Sequence, residues 1–346
     1  MAADAPPGVV IDHEPASARR YIGSPSIAIL PDGSYVASHD FFGPSSNEKV
    51  SGVTRIFGSR DRGRKWQRFA ELTDQFWSNL FVHRGALYLM GTTGEYGRIV
   101  IRRSVDGGRT WSPPSFLTGD ANYHTAPVPI TVWHGRVWRA FEYHPEGPWG
   151  FFHALALSAP EKADLLDARS WTQTPRLPFP IDAPSGKHWL EGNAVAGPHR
   201  ELLDILRVDN VERIALARIE PDGLRSQGMA DFPGGAKKFT IRYDRRSKLY
   251  WALANPAPGA ANPASVRNTL ALVSSPDLQH WQVRRTVLTH PDIARHAFQY
   301  VDWQFEGADI VAVSRTAYDD DEGGPPRGHD ANFLTFHRIE RFRENR

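Results

Sequence analysis

The residues of this sequence that suit acid, base and anion-binding chemistry are histidine, arginine, lysine and tyrosine side chains in polar segments between apolar runs. Histidine exchanges protons near neutral pH, and arginine binds carboxylates through paired hydrogen bonds. Segments such as ASHDFFG, NYHTAP and VSRTAYDD combine these residue types. The candidate site residues are His39, His124, His188, His329, Arg207, Arg315, Lys238, Tyr143, Tyr318, Gln299 and Trp189. Together they favour proton transfer on an anionic substrate beside a cationic clamp.

The composition excludes several other kinds of chemistry. The 346 residues contain no cysteine, which removes disulfides, thiolate catalysis and cysteine-based zinc sites. A net charge of +2 gives no reason to expect a nucleic-acid or membrane partner, and no apolar run approaches the ~18 residues of a membrane span. Histidines together with the DDDE run at 319–322 could hold a divalent cation, but that run lacks alternating ligand spacing and is better interpreted as a solvated loop. We therefore predict no metal and no cofactor.

A repeated octapeptide indicates which elements position these side chains. SRDRGRKW at 59–66 and SVDGGRTW at 104–111 share Ser-x-Asp-x-Gly-x-x-Trp, and strand-like runs flank each copy. Asp and Gly at these places are typical of a tight β-hairpin. Degenerate copies occur in SAPEKADLLDARSW at 158–171 and in SSPDLQHW at 274–281; the latter keeps the seven-residue interval from Ser274 to Trp281 and moves Asp277 by one place.

The strand-like runs fall into six groups of about 50 residues. Each group begins with two strands joined by a short turn: SIAIL/YVASH, NLFV/LYLMG, VPITVW/RVWRAFEY, LEGNAVA/LLDILRV, KFTIRYD/LYWALAN and QYVDWQF/DIVAVSR. This repeat predicts an all-β fold, a β-propeller with six four-stranded antiparallel blades, in one domain spanning 1–346. We expect GVVID at 8–12 to complete the last blade. A two-sheet sandwich is the alternative, but it leaves the regular hairpins unexplained.

Strand polarity separates the two faces of such a propeller. The decorated hairpins and short turns share one face, while the loops between second and third strands, and the links between blades, share the other. These latter segments are long and carry the candidate side chains, so we expect the active site there. The hairpin face is then the opposite face.

The octapeptides SVDGGRTW and SRDRGRKW resemble the Asp-boxes of the sialidase-like superfamily of β-propellers, where they are structural. Sialidases need three arginines on the substrate carboxylate, the first of them in a Tyr/Phe-Arg-Ile-Pro motif, and a tyrosine nucleophile helped by a carboxylate. The corresponding segment here is RYIGSPSIAIL, with Gly23 and Ser24 before Pro25 and no arginine inside the motif. We therefore do not expect sialidase activity.

A second resemblance covers most of the chain. YIGSPSIAILPDGSYVASHDFFG, NYHTAPVPITVWHGRVWRAFEYH, FPGGAKKFTIRYD, RNTLALVSSPDLQHW and HAFQYVDWQFEGADIVAVSRTAYDD are similar to propeller enzymes that release terminal L-rhamnose linked α-1,4 to D-glucuronic acid in arabinogalactan-type glycans. That family has been treated both as lyases and as α-L-rhamnosidases, and its propellers are described as seven-bladed. The resemblance places the family's functional histidine at His39. It implies a glycan substrate that contains a uronate.

Elimination from a uronate needs a base for the C5 proton, a clamp on the carboxylate and a proton donor for the leaving oxygen. The resemblance makes His39 the base, and His39→Ala should then lose at least about two orders of magnitude in rate. Arg315, Arg207 and Lys238 are candidates for the clamp, and Tyr318 or a second histidine such as His124 for the donor. The further candidates His188, Gln299, Tyr143, Trp189 and His329 are expected to bind substrate.

Hydrolysis of the same bond stays open as an alternative. It would use two carboxylates, for which Asp40, Glu142, Glu191 and Asp302 are candidates. A propeller that binds glycans without cleaving them is a further alternative, in which Trp77, Trp149, Trp189 and Trp303 could stack on sugar rings. We expect a monomer that is secreted or periplasmic, its signal peptide lying outside this sequence.

Overall fold

The computed structural model describes residues 5–145, 149–180 and 188–344. Its strands form six antiparallel sheets arranged as the blades of a β-propeller. Six clusters of buried apolar side chains separate the blades, one between each pair of neighbours. One cluster joins Ile27 of the first blade to Val313 and Phe336 of the last, so the ring is closed. The prediction of six blades is confirmed, and the seven suggested by the family resemblance are wrong for this chain.

The strands are numbered in chain order. The chain begins with β1 (Val9–His13). Blade 1 contains β2 (Tyr21–Ile22), β3 (Ser26–Ile29), β4 (Tyr35–Phe42), β5 (Val53–Ser59) and β6 (Gln67–Thr73). Blade 2 contains β7 (Phe76–His83), β8 (Ala86–Thr92), β9 (Ile99–Ser104) and β10 (Ser115–Phe116). Blade 3 contains β11 (Tyr123–His124), β12 (Thr131–Trp133), β13 (Arg136–Tyr143), β14 (His153–Pro160), β15 (Thr172–Gln173) and β16 (Leu177–Pro178).

Blades 4 to 6 follow the same plan. Blade 4 contains β17 (Trp189–Ala196), β18 (Leu202–Val208), β19 (Arg213–Glu220) and β20 (Gly223–Asp231). Blade 5 contains β21 (Thr240–Asp244), β22 (Leu249–Ala254), β23 (Thr269–Ser275) and β24 (Gln282–Thr289). Blade 6 contains β25 (Ala297–Glu306), β26 (Asp309–Ala317) and β27 (Phe333–Ile339). Short 3₁₀ helices occur at Ala16–Ala18, Ala168–Ser170 and Pro263–Ser265.

The N-terminal strand β1 pairs with β27 and supplies the fourth strand of blade 6. A strand from one chain end thus completes the sheet made by the other end. The side chain of Asp12 in β1 also pairs with His39 Nε2 of β4 at 2.8 Å and with Arg55 Nη1 of β5 at 3.0 Å. Closure therefore rests on polar contacts to blade 1 as well as on the sheet ladder.

The octapeptide repeats form the predicted hairpins. In the second copy, Ser104 Oγ donates to Asp106 Oδ1 at 2.8 Å, and the Thr110 N–H donates to the same oxygen at 2.9 Å. Gly108 has φ +92°, a left-handed conformation that favours glycine. The Trp111 indole donates to the Gly108 carbonyl at 3.0 Å, which fixes the ring over the turn.

The copy near residue 280 differs in one respect from the sequence-based interpretation. Ser275, and not Ser274, donates to Asp277 Oδ1, at 3.1 Å. Asp277 therefore keeps its usual place two residues after the serine, and the turn is instead one residue shorter before Trp281. Leu278 takes the left-handed conformation there, with φ +67°.

Candidate active site

A central cavity of about 430 Å³ opens on the face that carries the long loops. Its walls come from the links before the first strands, the ends of the second strands and the loops that follow them. This is the face opposite the octapeptide hairpins, as strand polarity predicted. The polar residues of the wall fall into a cationic group, an acidic group and a histidine group.

Three wall residues lie on β-bulges of equivalent strands. Trp77, Glu191 and Tyr300 occupy the first strands of blades 2, 4 and 6, where the register with the second strand shifts by one residue. Their φ angles are +46°, +57° and +55°, which is left-handed for all three. Such a conformation costs about 1–3 kcal/mol in a non-glycine residue, and bulges commonly re-aim side chains at functional sites. Each bulge redirects a side chain of the first strand so that it points into the cavity.

The cationic group consists of Arg207, Arg267 and Arg315. Arg207 lies at the end of the second strand of blade 4, and Arg315 at the equivalent position of blade 6, each opposite the residue that precedes a bulge. Arg267 follows the 3₁₀ helix of the blade 5 loop, where its Nη1 donates to Gln299 Oε1 at 2.6 Å. The Cζ atoms of Arg315 and Arg267 lie 4.8 and 5.7 Å from the ring centroid of Tyr300.

The three guanidinium groups differ in how their charge is balanced. Arg207 donates to Glu191 Oε2 at 2.9 Å and to Asp209 Oδ1 at 3.1 Å. Arg267 and Arg315 are 7% and 4% exposed, and no carboxylate of the described residues forms an ion pair with either. Burial lowers the pKa of Arg315 to about 10. Two buried cations thus face the cavity without an anionic partner from the described chain.

Glu191 and Tyr300 form an acid–base pair beside these cations. Burial raises the pKa of the Glu191 carboxyl, but the charges of Arg207 and His124 and hydrogen bonds from Arg207 and Tyr300 outweigh burial and lower it. Glu191 is therefore ionised at neutral pH and can accept the phenolic proton of Tyr300. A phenolate there would lie among the arginines, which stabilise negative charge.

The acidic group lies on the side of blades 1 and 2 and consists of Asp40, Glu48 and Glu95. Burial, with the nearby charges of Glu95 and Asp40, raises the pKa of Glu48 to about 7. Burial also raises the pKa of Asp40 to about 6, although its oxygens accept the N–H groups of Ser24 and Trp77 at 2.6 Å each. Glu48 can thus carry a proton near neutral pH, as a general acid must.

Histidines form the third group. His124 Nδ1 lies 2.9 Å from Glu142 Oε2, and the ring stands edge-on to Trp77 at 4.5 Å. Glu142 also accepts the N–H of Gly192 at 2.8 Å, so the carboxylate that orients His124 is itself fixed. Burial lowers the pKa of His329 to about 3, helped by the charge of Arg315, which leaves that ring neutral.

The structure brings four predicted site residues to the cavity wall: His124, His329, Arg207 and Arg315. Three more lie just behind or beside it. Gln299 is fully buried and holds Arg267, Lys238 contacts the backbone of the Tyr300 bulge, and the His188 ring lies edge-on to Trp149 at 5.5 Å.

Four predicted site residues lie outside this wall. His39 is fully buried between Asp12 and the carbonyl of Asp40; Tyr143 stacks on the Arg176 guanidinium; Tyr318 contacts the rings of His290 and His296; and Trp189 is buried, with its indole donating to the Phe152 carbonyl. Trp303, a candidate for stacking on sugars, is likewise buried, whereas Trp77 and Trp149 line the cavity.

Sequence reasoning missed Tyr300, Arg267 and Glu48. The link that ends at Tyr300 is expected on the long-loop face, but Tyr300 lies within a strand whose alternation the bulge breaks, so nothing in the pattern directs its side chain into the cavity. One sequence signal marks the bulges. An asparagine or aspartate follows each bulge residue by two places, at Asn79, Asn193 and Asp302. Asp302 accepts the Ile27 N–H of the next blade at 3.0 Å, and Asn193 accepts that of Ile241 at 3.0 Å.

The described part of the chain shows neither a cluster of metal ligands nor a membrane-spanning helix. Residues 5–145, 149–180 and 188–344 contain no cluster of three or more histidine or acidic side chains arranged to hold a metal ion. No helix in those ranges is long and apolar enough to cross a membrane.

Comparison with known proteins defines the fold and nothing finer. No family model and no curated protein matches the chain. Among solved structures, the α-L-arabinanase of Penicillium chrysogenum complexed with arabinobiose has a TM-score of 0.63 at 12% identity, covering 98% of this chain and 99% of that one. The Hadza microbial sialidase Hz136 gives 0.66 at 12% identity, covering 96% of this chain and 68% of that one. The GH93 α-L-arabinofuranosidase of Fusarium graminearum gives 0.64 at 10% identity, covering 96% and 97%. The chain therefore shares its β-propeller fold with this arabinanase, this sialidase and this arabinofuranosidase.

Proposed function

We propose that this protein cleaves a glycan at a sugar that carries a carboxylate, and that the cavity binds this carboxylate between Arg267 and Arg315. The observation that carries the proposal is that both guanidiniums are buried without an ion-pair partner among the described residues. Burying an uncompensated charge is costly, and an anionic ligand would offset that cost. Arginine also matches the planar geometry of a carboxylate. The likeness in fold to enzymes that act on arabinan and sialic acid supports a glycan substrate.

The position of Tyr300 indicates which carbon of the sugar reacts. Because its ring centroid lies 4.8 and 5.7 Å from the Cζ atoms of Arg315 and Arg267, Tyr300 would face the carbon that bears the bound carboxylate. In a uronate this is C5, whose proton is removed in an elimination. For rhamnosidase-type hydrolysis the reacting carbon is the anomeric carbon of rhamnose, several bonds away from the carboxylate. The geometry therefore supports elimination over hydrolysis of a rhamnosyl-glucuronate bond.

The proposed elimination uses residues of the cavity wall in three roles. Tyr300, its proton passed to Glu191, removes the C5 proton of the uronate, while the arginines stabilise the developing charge on the carboxylate. The C4–C5 double bond forms as the bond from C4 to the leaving oxygen breaks. Glu48 donates the proton that this oxygen needs. The pair formed by His124 and Glu142 is the second candidate for the base, because the carboxylate orients the imidazole.

The substrate that we propose is the terminal rhamnosyl-α-1,4-glucuronate of arabinogalactan-type glycans, which the family resemblance implies. Such a polymer is degraded outside the cytoplasm, so we also propose a secreted or periplasmic monomer. A 2-keto-acid sugar is the second candidate, because its anomeric carbon bears the carboxylate and a tyrosine–glutamate pair could attack it. Against that candidate, Gly23 stands where a sialidase motif has arginine, and a side chain there would collide with the Asp40 carboxylate.

The decisive experiment incubates the protein with arabinogalactan bearing terminal rhamnosyl-glucuronate, and follows free rhamnose together with the ultraviolet absorbance of the unsaturated uronate. We expect both to rise. Rhamnose without absorbance would mean hydrolysis and overturn the elimination. A sialylated glycan and a carboxyl-reduced arabinogalactan are run in parallel. Equal cleavage of the reduced substrate would refute the role of the arginines, and binding without any product would leave a non-catalytic glycan-binding propeller.

A further inference from the structure

The Tyr300 bulge is held from the neighbouring blade. Lys238, in the link just before β21 of blade 5, reaches across to the bulge on β25 of blade 6. Its Nζ donates to the Val301 carbonyl at 2.9 Å and lies 3.5 Å from the Tyr300 carbonyl. It also donates to Thr240 Oγ1 at 2.8 Å, which orients the amine. All three ammonium protons thus have partners in or beside the bulge.

Lys238 does not reach the cavity. It is 1% exposed, and its three contacts use backbone carbonyls and a hydroxyl rather than a carboxylate. Burying a lysine ammonium is energetically costly. Burial lowers the pKa of Lys238 to about 8, although the charges of Asp302 and Glu191 raise it, and the charge of Arg242 lowers it further. A side chain this costly, directed at one strained turn, is expected to have a function in holding that turn.

We propose that Lys238 is a positioning residue that fixes the Tyr300 bulge and so keeps the phenol beside Glu191 and the arginines. This inference rests on the proposed function of Tyr300, but the position of the ring can be tested without any substrate. Without the ammonium group, the Tyr300 carbonyl would lose the Lys238 contact, and the Val301 carbonyl would keep only the Thr240 hydroxyl as a side-chain donor, at 3.2 Å. The bulge would then be free to relax out of its left-handed conformation, and the phenol would shift relative to its partners.

The preceding residue offers a matched control. Lys237 is equally buried, and burial lowers its pKa to about 8 as well. Its Nζ donates to Glu212 Oε1 at 3.0 Å and to the Pro263 carbonyl at 2.8 Å, so it holds the loop of blade 5 and not the bulge. Loss of either lysine removes one buried ammonium, but only the loss of Lys238 disturbs the backbone of Tyr300.

The test compares Lys238→Met, Lys238→Gln and Lys237→Met in kinetics. We expect Lys238→Met to lower kcat by about tenfold to hundredfold with little change in KM, as misplacement of a catalytic group does. Lys238→Gln keeps a hydrogen-bond donor and should retain more of kcat, whether or not Lys238→Met folds well. Lys237→Met should act on KM through the loop that carries Arg267. Equal kcat values for wild type and Lys238→Met would overturn the inference.

The pH profile gives a second readout. Wild-type kcat should fall more steeply above about pH 8, where Lys238 loses its proton, and Lys238→Met should lose this extra decline while Lys237→Met keeps it. Stability changes in the other direction. Because the folded pKa lies below the unfolded value of 10.5, unfolded protein binds more protons between these values, and this group's contribution to stability rises with pH. Deprotonation of Lys238 therefore cannot lower activity above pH 8 by unfolding the protein. If the loss of kcat above pH 8 were accompanied by unfolding, it would count against the inference.

The third readout needs no substrate. Protein labelled with fluorotyrosine gives one fluorine signal for each of its ten tyrosines, and Tyr300→Phe assigns the signal of interest. We expect Lys238→Met to shift this signal and Lys237→Met to leave it in place. If wild type cleaves no glycan, the proposed function fails and this signal alone decides the role of Lys238. An unshifted signal in Lys238→Met would refute the inference while cleavage by wild type stands.

Discussion

Replacing Arg315 with methionine should weaken catalysis without weakening the fold. The side chain is 4% exposed, has no carboxylate partner among the described residues and donates to the carbonyl of His329. A hydrogen bond between charged groups contributes about 1.5–3 kcal/mol. Its loss from a bound substrate carboxylate would therefore lower kcat/KM by about tenfold to 150-fold, since about 1.4 kcal/mol is tenfold.

The stability of the unliganded protein should change in the opposite sense. Removal of Arg315 leaves the His329 carbonyl without a donor, at about 1–3 kcal/mol, but it also removes a buried cation whose desolvation costs several kcal/mol. We expect the free energy of unfolding to stay within about 1 kcal/mol of wild type or to rise. Arg207→Met is the control, because it leaves Glu191 buried without its partner and should cost about 3–5 kcal/mol.

The assay combines urea unfolding with kcat/KM on native and carboxyl-reduced substrate. If Arg315 binds the carboxylate, Arg315→Met and carboxyl reduction should each lower kcat/KM, and the two changes together should cost little more than either alone. Fully additive losses would mean that Arg315 does not contact the carboxylate. A stability loss as large as that of Arg207→Met would refute the view that Arg315 is uncompensated in the free protein.

Three further predictions concern acid–base chemistry and stability. Glu48→Gln should lower kcat by about two to four orders of magnitude and abolish the loss of activity that begins near pH 7, which leaves only the decline above about pH 8 assigned to Lys238. Glu95→Gln should move the loss that depends on Glu48 to lower pH, because it removes a charge that raises the pKa of Glu48. Profiles of kcat/KM against pH measure both effects. His39→Ala should keep kcat within about threefold and lose about 1–3 kcal/mol of stability, because Asp12 loses a buried partner. A rate loss of two orders of magnitude at unchanged stability would instead restore His39 as the base. Asp106→Ala, on the hairpin face, should lower the melting temperature and leave kcat unchanged.

The fold could be predicted from the sequence because its evidence is local and repeated. Each octapeptide specifies its own hairpin through contacts within eight residues, such as those of Asp106 with Thr110. Six hairpin-linked groups then give the blade number by counting. The seventh blade came from the family resemblance, which carries over a property of other chains. The described residues of this chain contain no strands for a seventh blade.

The site could be predicted only where its residues follow regular strand geometry. Arg207 and Arg315 stand at the ends of second strands, and strand polarity places such residues on the long-loop face. His39 stands in the same kind of strand, but its side chain points between blades, where Asp12 receives it. Polarity assigns a residue to one end of a blade and does not say whether it faces the centre of the ring or the neighbouring blade.

The bulges explain why the central residues stayed hidden and how one fold can carry different chemistry. The same left-handed position in alternate blades is occupied by Trp77, Glu191 and Tyr300. These residues carry an indole, a carboxylate and a phenol, respectively. In blades 1 and 3 the first strand is instead split, as between Ile22 and Ser26. The backbone therefore provides three places from which a side chain enters the cavity, while contacts such as that of Lys238 hold those places from behind. Exchange of one bulge residue changes the reactive group without altering the blade, so the residues at these three positions, and not the fold, determine the reaction.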